Sequence, residues 1–277
     1  MPLRLNRNQE PAKEMTFFDH FEALRWHLVR SIIVILLFAI AAFIRKDLIF
    51  DEILLAPKNP SFITFQWLCQ LGELTGIPDI CVQDFNFKII NTEMTGQFMA
   101  HIWISLIAGL ILGSPYLIWE IWRFIKPALY DKEKRSARGF VAITTFLFLT
   151  GIAFGYFILT PVSVNFLGTY MISNQVDNYI NLQSYVSIVT VTTLITGVVF
   201  ELPVVVYFLS RIGILSPQFM RKYRRHAIVL VFIAAAIITP STDMVTQMLV
   251  ALPLLLLYEI SIWVSAVQYK QMSYDKK

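Results

Sequence analysis

The chain has 277 residues, 56% of them hydrophobic, with a mean hydropathy of +0.61 and a formal net charge of +4. The apolar residues stand in long blocks, which excludes a soluble globular domain, where they would be interspersed to leave a polar face. The basic residues gather at the ends of those blocks, so the positive balance points to membrane topology and not to nucleic acid or an acidic substrate.

In chain order, the first 27 residues are polar and charged. They lack a short apolar core before a small-residue cleavage site, so no cleavable signal peptide is expected. An amphipathic run starting near Thr16 enters the first apolar segment, Leu28 to Ile44. The loop from Lys46 to Thr95 follows. It carries Pro57, Pro60 and Pro78 and the aromatics Phe62, Phe65 and Trp67. So many bulky apolar residues predict an ordered cap with short helical pieces, over about residues 46–95, and not a disordered linker. Both cysteines of the chain, Cys69 and Cys81, lie in this loop. A disulfide and two free thiols are both open, the first only if the loop lies outside the cytoplasm.

The second apolar segment, Gln97 to Ile125, ends in SPYLIWEIWRFIKPALYDKEKR. Trp119 and Trp122 suit a membrane interface, Arg123 and Lys126 reach water, and Pro127 turns the chain. The third segment, Phe140 to Leu159, is expected to end at Pro161. The fourth, Leu182 to Ile212, is interrupted by Glu201 and Pro203. The fifth, Ala227 to Ile238, is short and ends at Thr239 and Pro240. The sixth, Val245 to Val267, leaves a tail over about residues 268–277. Counting all six as spans sorts the basic residues. With the amino terminus inside, only Arg45, Lys46, Lys58 and Lys88 fall outside, which is the positive-inside pattern with both termini cytoplasmic. The expected fold is one all-α integral membrane domain of six transmembrane helices.

No HExxH, GxSxG or glycine-rich phosphate loop occurs, and the four histidines are dispersed, so neither an enzyme, a metal site nor a cofactor is expected. His20 and His27, seven residues apart, read as sharing one helix face. Glu201, in VVFELPVVVYFL, is the sharpest single residue. A carboxylate at such depth costs about 2.5 to 3.5 kcal/mol on insertion scales and marks function by default. A neutral carboxyl bonded to a neighbouring helix is the plainer alternative. Pro203 frees a backbone carbonyl one turn earlier and makes a kink there plausible. Glu259 reads as interfacial or structural.

These strings resemble the TatC family, the multi-spanning receptor of the twin-arginine protein translocase. Pro115, Trp122, Phe124, Ile125, Pro127, Leu129, Tyr130 and Glu133 match its second-helix motif, with Glu120 where the family usually has Gln. Phe200, Glu201 and Pro203 match its F-E-x-P. TPSTDMVTQ carries Thr239, Pro240, Asp243 and Gln247 in the pattern of its turn between helices five and six. FFDHFEALRWHL matches the amino-terminal element at His20, Phe21, Leu24, Arg25 and Leu28. The family Glu two before that Arg is Ala23 here, and the carboxylate is Glu22, turned about 100° away. The resemblance implies six helices with short fifth and sixth members, in the cytoplasmic (inner) membrane. It implies Arg-Arg signal peptides bound by Glu22, Arg25, Phe124 and Glu133, and partner helices met at Glu201, Pro203, Asp243 and Gln247. Pro57, Pro115, Trp122, Pro127 and Tyr130 would be structural signature positions. Partners would be further copies of the chain and single-spanning proteins of the TatA and TatB kind, with transport driven by the proton gradient. Each acid keeps a plainer reading: a helix cap for Asp243, a solvated ion pair for Glu133, an amphipathic helix for the amino-terminal run. The alternative function is a proton-coupled small-solute transporter with Glu201 as carrier, against which stands the absence of a repeat of broken helices. A membrane scaffold is the third class.

Overall fold

The computed structural model describes residues 17–75, 87–125, 137–173, 175, 178–239 and 244–275. Helix α1 is Phe17–Ile44, α2 Ile63–Thr75, α3 Gly96–Ile125, α4 Ala137–Phe154, α5 Thr160–Thr169, α6 Leu182–Val199, α7 Leu202–Arg211, α8 Pro217–Lys222, α9 Arg224–Ile238 and α10 Met244–Asp275. A π-helical turn, Gly155–Leu159, joins α4 to α5. Five stretches are long and apolar enough to cross a membrane: Glu22–Ile44, Gly96–Ile125, Gly139–Thr169, Leu182–Arg211 and Thr246–Lys270. The chain is a multi-pass membrane protein. Helix is the form that lets each such stretch satisfy its own backbone without water. Leu37, Phe146 and Leu252 are among the many large apolar side chains left exposed along these stretches, where lipid would cover them.

The predicted fifth segment is α9, with fifteen residues. At about 1.5 Å per residue it reaches about 22 Å, short of an apolar core of about 30 Å.

Three expectations are corrected. The fold is not purely helical, because β1 (Lys88–Ile90) pairs in parallel with β2 (Tyr179–Asn181), Ile89 opposite Ile180. The third segment does not end at Pro161. Pro161 sits in the first turn of α5, and the carbonyl its ring frees, that of Phe157, accepts the hydroxyl of Thr64 in α2. A donor from outside the helix lets the chain continue past the proline. The sixth helix is not short: α10 runs 32 residues, through Pro253 to Asp275.

Helices α1 and α3 are antiparallel neighbours. They meet at one end through the Phe43 and His101 rings, stacked 3.9 Å apart, and at the other through His27 and Glu120. Between these contacts, glycines let the two backbones approach. A Cβ on Gly109 would lie 2.7 Å from both the amide nitrogen of Ala39 and the carbonyl oxygen of Ile35, and Gly113 also faces Ile35. Helices α4 and α6 repeat the device: a Cβ on Gly151 would lie 2.9 Å from Cα of Gly197, and one on Gly155 would lie 2.9 Å from Cα of Thr193. Small residues four apart are what close helix packing in lipid uses.

The cap between α1 and α3 is built of a π-helical turn (Leu48–Leu54), a 3-10 turn at Ala56–Lys58, α2 and β1. Pro57 in it is fully buried. Its backbone is tied to the spans by hydroxyls: Tyr185 donates to the carbonyl of Leu54 at 2.8 Å and Tyr156 to that of Ile53 at 2.6 Å. Cys69 in α2 is disulfide-bonded, and Cys81, the chain's other cysteine, lies outside the described residues.

Gly109→Ala should force α1 and α3 apart and lower stability by about 1 to 3 kcal/mol, read as earlier thermal unfolding in detergent. Gly139→Ala is the matched control, since its Cβ would meet nothing within 4 Å. It should leave unfolding unchanged or delay it. With Cys69 and Cys81 bridged, maleimide should label intact cells only after reduction, and labelling of both without reductant would contradict the bridge.

Candidate functional site

One candidate site lies where the fourth span breaks. Val199 ends α6, and Phe200 and Glu201 form a turn before α7. The carbonyl of Glu201 accepts from Val204 at 2.9 Å and Val205 at 3.0 Å, so Glu201 starts the new helix. Its side chain makes no cap bond, and Pro203, buried in the first turn, needs no donor there. Neither carboxyl oxygen of Glu201 has a hydrogen-bond partner among the described residues.

The carboxyl lines a cavity of about 360 Å³ between α3, α4, α6 and α7. The walls are apolar, with Ile118, Ile121, Phe148 and Val205 among them. Two more polar atoms on this lining are buried and without partners among the described residues, the indole nitrogen of Trp122 and the hydroxyl of Thr144. The set is thus an acid, an N–H donor and a hydroxyl in an apolar chamber about ten residues, or about 15 Å, from the end of the span at Arg211. Buried polar groups normally find partners, so this unpaired set marks the cavity as a candidate site.

Trp122 is only 5% exposed, its ring 4.3 Å from that of Phe140 and 5.9 Å from that of Phe208. Trp119 is the exposed one, with the Arg123 guanidinium 4.8 Å above its ring.

The second candidate lies at the end of α3 and the start of α1. Glu22 and Arg25 are exposed on the first turns of α1, and Phe124 is half-buried on the last turn of α3. His27 meets Phe124 edge to face, ring centres 6.1 Å apart. Beneath them Glu120 is completely buried. It accepts from Nδ1 of His27, from the hydroxyl of Tyr116 at 2.8 Å and, more weakly, from Nη1 of Arg123 at 3.5 Å.

A model of the family described as "TatC: Sec-independent protein translocase protein (TatC)" matches residues 19–253. The chain belongs to the TatC family. It is 39% identical over 254 residues to the Sec-independent protein translocase protein TatC of Blattabacterium sp. subsp. Periplaneta americana (strain BPLAN), covering 91% of this chain and 95% of that protein. It is 34% identical over 250 residues to the TatC of Aquifex aeolicus (strain VF5), covering 90% and 94%. Among solved structures, "Crystal Structure of Twin Arginine Translocase Receptor- TatC" superposes with a TM-score of 0.67 at 34% identity, covering 90% of this chain and 99% of that one. The chain is therefore a component of a Sec-independent protein translocase.

Within this TatC-family chain the predicted site residues divide. Glu201 lines the cavity and Pro203 follows it in the first turn of α7, whereas Gln247 lies on α10 and donates to the carbonyl of Phe232 at 3.3 Å. Glu22, Arg25 and Phe124 share one end of the α1–α3 pair. Glu133, Pro127, Tyr130 and Asp243 lie outside the described residues. Pro115 is exposed on α3, and the carbonyl it frees, that of Ile111, accepts the Ser114 hydroxyl at 2.7 Å. Glu259 pairs with Arg224 at 2.6 Å on an exposed surface, in keeping with a structural role. Sequence reasoning missed that His27, Thr144 and the Trp122 nitrogen belong to sites. It noted Glu120 only as a departure from the family. That departure was the available signal, since an acid in an apolar helix calls for a partner.

Proposed function

We propose that this chain is the twin-arginine signal-peptide receptor of its translocase. It spans the inner membrane six times, α9 included, with both termini in the cytoplasm. The start of α1 and the segment after α3 form the cytoplasmic receptor face. Arginine forks of the peptide pair with Glu22 and Glu133 in parallel charge-assisted bonds. Phe124 supplies apolar contact, and Arg25 helps hold the acids in place. The observation that carries this reading is the ring contact of His27 with Phe124, which brings the amino-terminal element and the end of α3 to one place. Two family elements far apart in sequence thereby become neighbours.

The cavity of Glu201 is the second half of the proposal. A single-spanning partner of the TatA or TatB kind presents a polar side chain to it, because lipid offers no competing bond. The unpartnered acid, indole N–H and hydroxyl support this over a purely structural role for Glu201. Further copies of the chain assemble with these partners, Asp243 and Gln247 belong to the partner contact, and the proton gradient drives passage of folded cargo.

Glu133→Ala should weaken binding of a peptide with two consecutive arginines, and Glu22→Ala should add to the loss. Each charged bond removed is worth about 1.5 to 3 kcal/mol. Unchanged crosslinking of the peptide to the double variant would rule the receptor face out. At the cavity, Glu201→Ala should abolish transport while leaving peptide binding intact, and Glu201→Gln, which keeps hydrogen-bonding capacity, should retain much of the transport. Wild-type transport by Glu201→Ala would make the residue structural at most. Equal inactivity of Gln and Ala would shift weight to a proton-carrying role.

A further inference from the structure

Helix α1 packs extensively on α3 alone among the described residues. Three contacts stand out along that interface. One is the Phe43–His101 stack, reinforced by a bond from Nε2 of His101 to the Phe43 carbonyl at 3.1 Å. The second is the close passage at Gly109 and Gly113. The third, near the start of α1, is His27, which bonds Glu120 and meets the Phe124 ring. Glu22 and Arg25 lie beyond it, exposed, on the turns that lead into this contact.

The bond is built as an anchor. Glu120 is fully buried, and its two oxygens are divided between helices: Oε2 takes His27 of α1, while Oε1 takes Tyr116 and Arg123 of its own helix. The acid is thus fixed on α3 before it holds α1. His27 is fixed from the other side by its contact with Phe124. Arg30 on α1 also brings positive charge near Tyr116. A carboxylate among a histidine, an arginine and a phenol is compensated on every side, and removing one partner of such a buried set leaves an uncompensated group.

We propose that Glu120, acting through His27, is a positioning residue that holds the start of α1, and with it Glu22 and Arg25, against the end of α3 in the arrangement that receives an Arg-Arg peptide. This rests on the receptor reading given above. The pair does not touch the peptide.

The test uses the full chain in nanodiscs and a synthetic peptide with consecutive arginines. Glu120→Ala and His27→Ala should each lower peptide affinity about tenfold, equivalent to about 1.4 kcal/mol, and the double variant should lose no more than either. Glu120→Gln, which can still accept from His27 and Tyr116, should stay within about threefold of wild type and keeps the test readable should an alanine variant fail to fold. Spin labels at Trp26→Cys and Trp119→Cys, both exposed positions, should report a widened distance distribution in His27→Ala and an unchanged one in Glu120→Gln. Losses that simply add in the double variant, or a distance distribution unmoved by His27→Ala, overturn the proposal. If Glu133→Ala leaves peptide binding intact while His27→Ala still widens the distances, the receptor reading fails and the positioning role stands.

Discussion

The constraint on which the rest of this structure depends is that polar groups in hydrocarbon have no water to turn to. Each proline inside a span creates such a group by blocking the carbonyl one turn earlier. The chain answers locally at Pro115, where Ser114 covers the Ile111 carbonyl, and at a distance at Pro161, where Thr64 of the cap covers that of Phe157. The second answer shapes the fold. Thr64 must be brought to the end of α4, and the Tyr156 and Tyr185 hydroxyls in turn find acceptors on the cap backbone at Ile53 and Leu54. The cap is thus held by the polar needs of the helices beneath it. Against this pattern Glu201 is the one carboxylate among the buried side chains left without a partner among the described residues.

The glycines set what the helices can do next. Gly109 and Gly113 bring α1 onto α3, and Gly151, Gly155 and Gly197 bring α4 onto α6, in each case with backbone near backbone. Contacts this close gather dispersion from many atoms at once. The Glu201 cavity occupies the space beyond the α4–α6 contact, walled by Phe148 and Ile121 in place of glycine. Close packing on one level and a chamber on the next follow from the same sequence of small and large residues.

Much of the architecture was legible because its signals are local. Apolar runs marked the spans, and an acid followed two residues later by proline marked the break at Glu201. Family motifs marked the ends of α3 and the start of α1. What escaped depends on partners remote in sequence. Pro161 looks like a stop until Thr64, 97 residues earlier, supplies a donor. The burial of Trp122 depends on Phe140 and Phe208, which lie on two other helices. His27 looks like half of a shared face with His20, whereas its partner is Glu120 on another helix. The two three-residue strands are too short to carry an alternating pattern, and their pairing joins two loops 91 residues apart, Lys88 with Tyr179. The length of α10 escaped for the opposite reason: apolar character ends near Val267, yet the helix continues through polar residues to Asp275.

Helix α3 is the element common to both candidate sites. Glu120 and Trp122 are two residues apart, which turns their side chains about 200° around the helix axis. Glu120 therefore faces α1, and Trp122 faces α4 and α7. One turn of helix carries the Glu120–His27 contact on one flank and a wall of the Glu201 cavity on the other. A helix turn is stiff on this scale, because its backbone bonds fix each residue to the fourth one along. A displacement of the end of α3 that relaxed the His27 contact would move the indole of Trp122 in the same step, against Phe140 and Phe208. Glu120 and Trp122 are thus linked by covalent geometry over three residues.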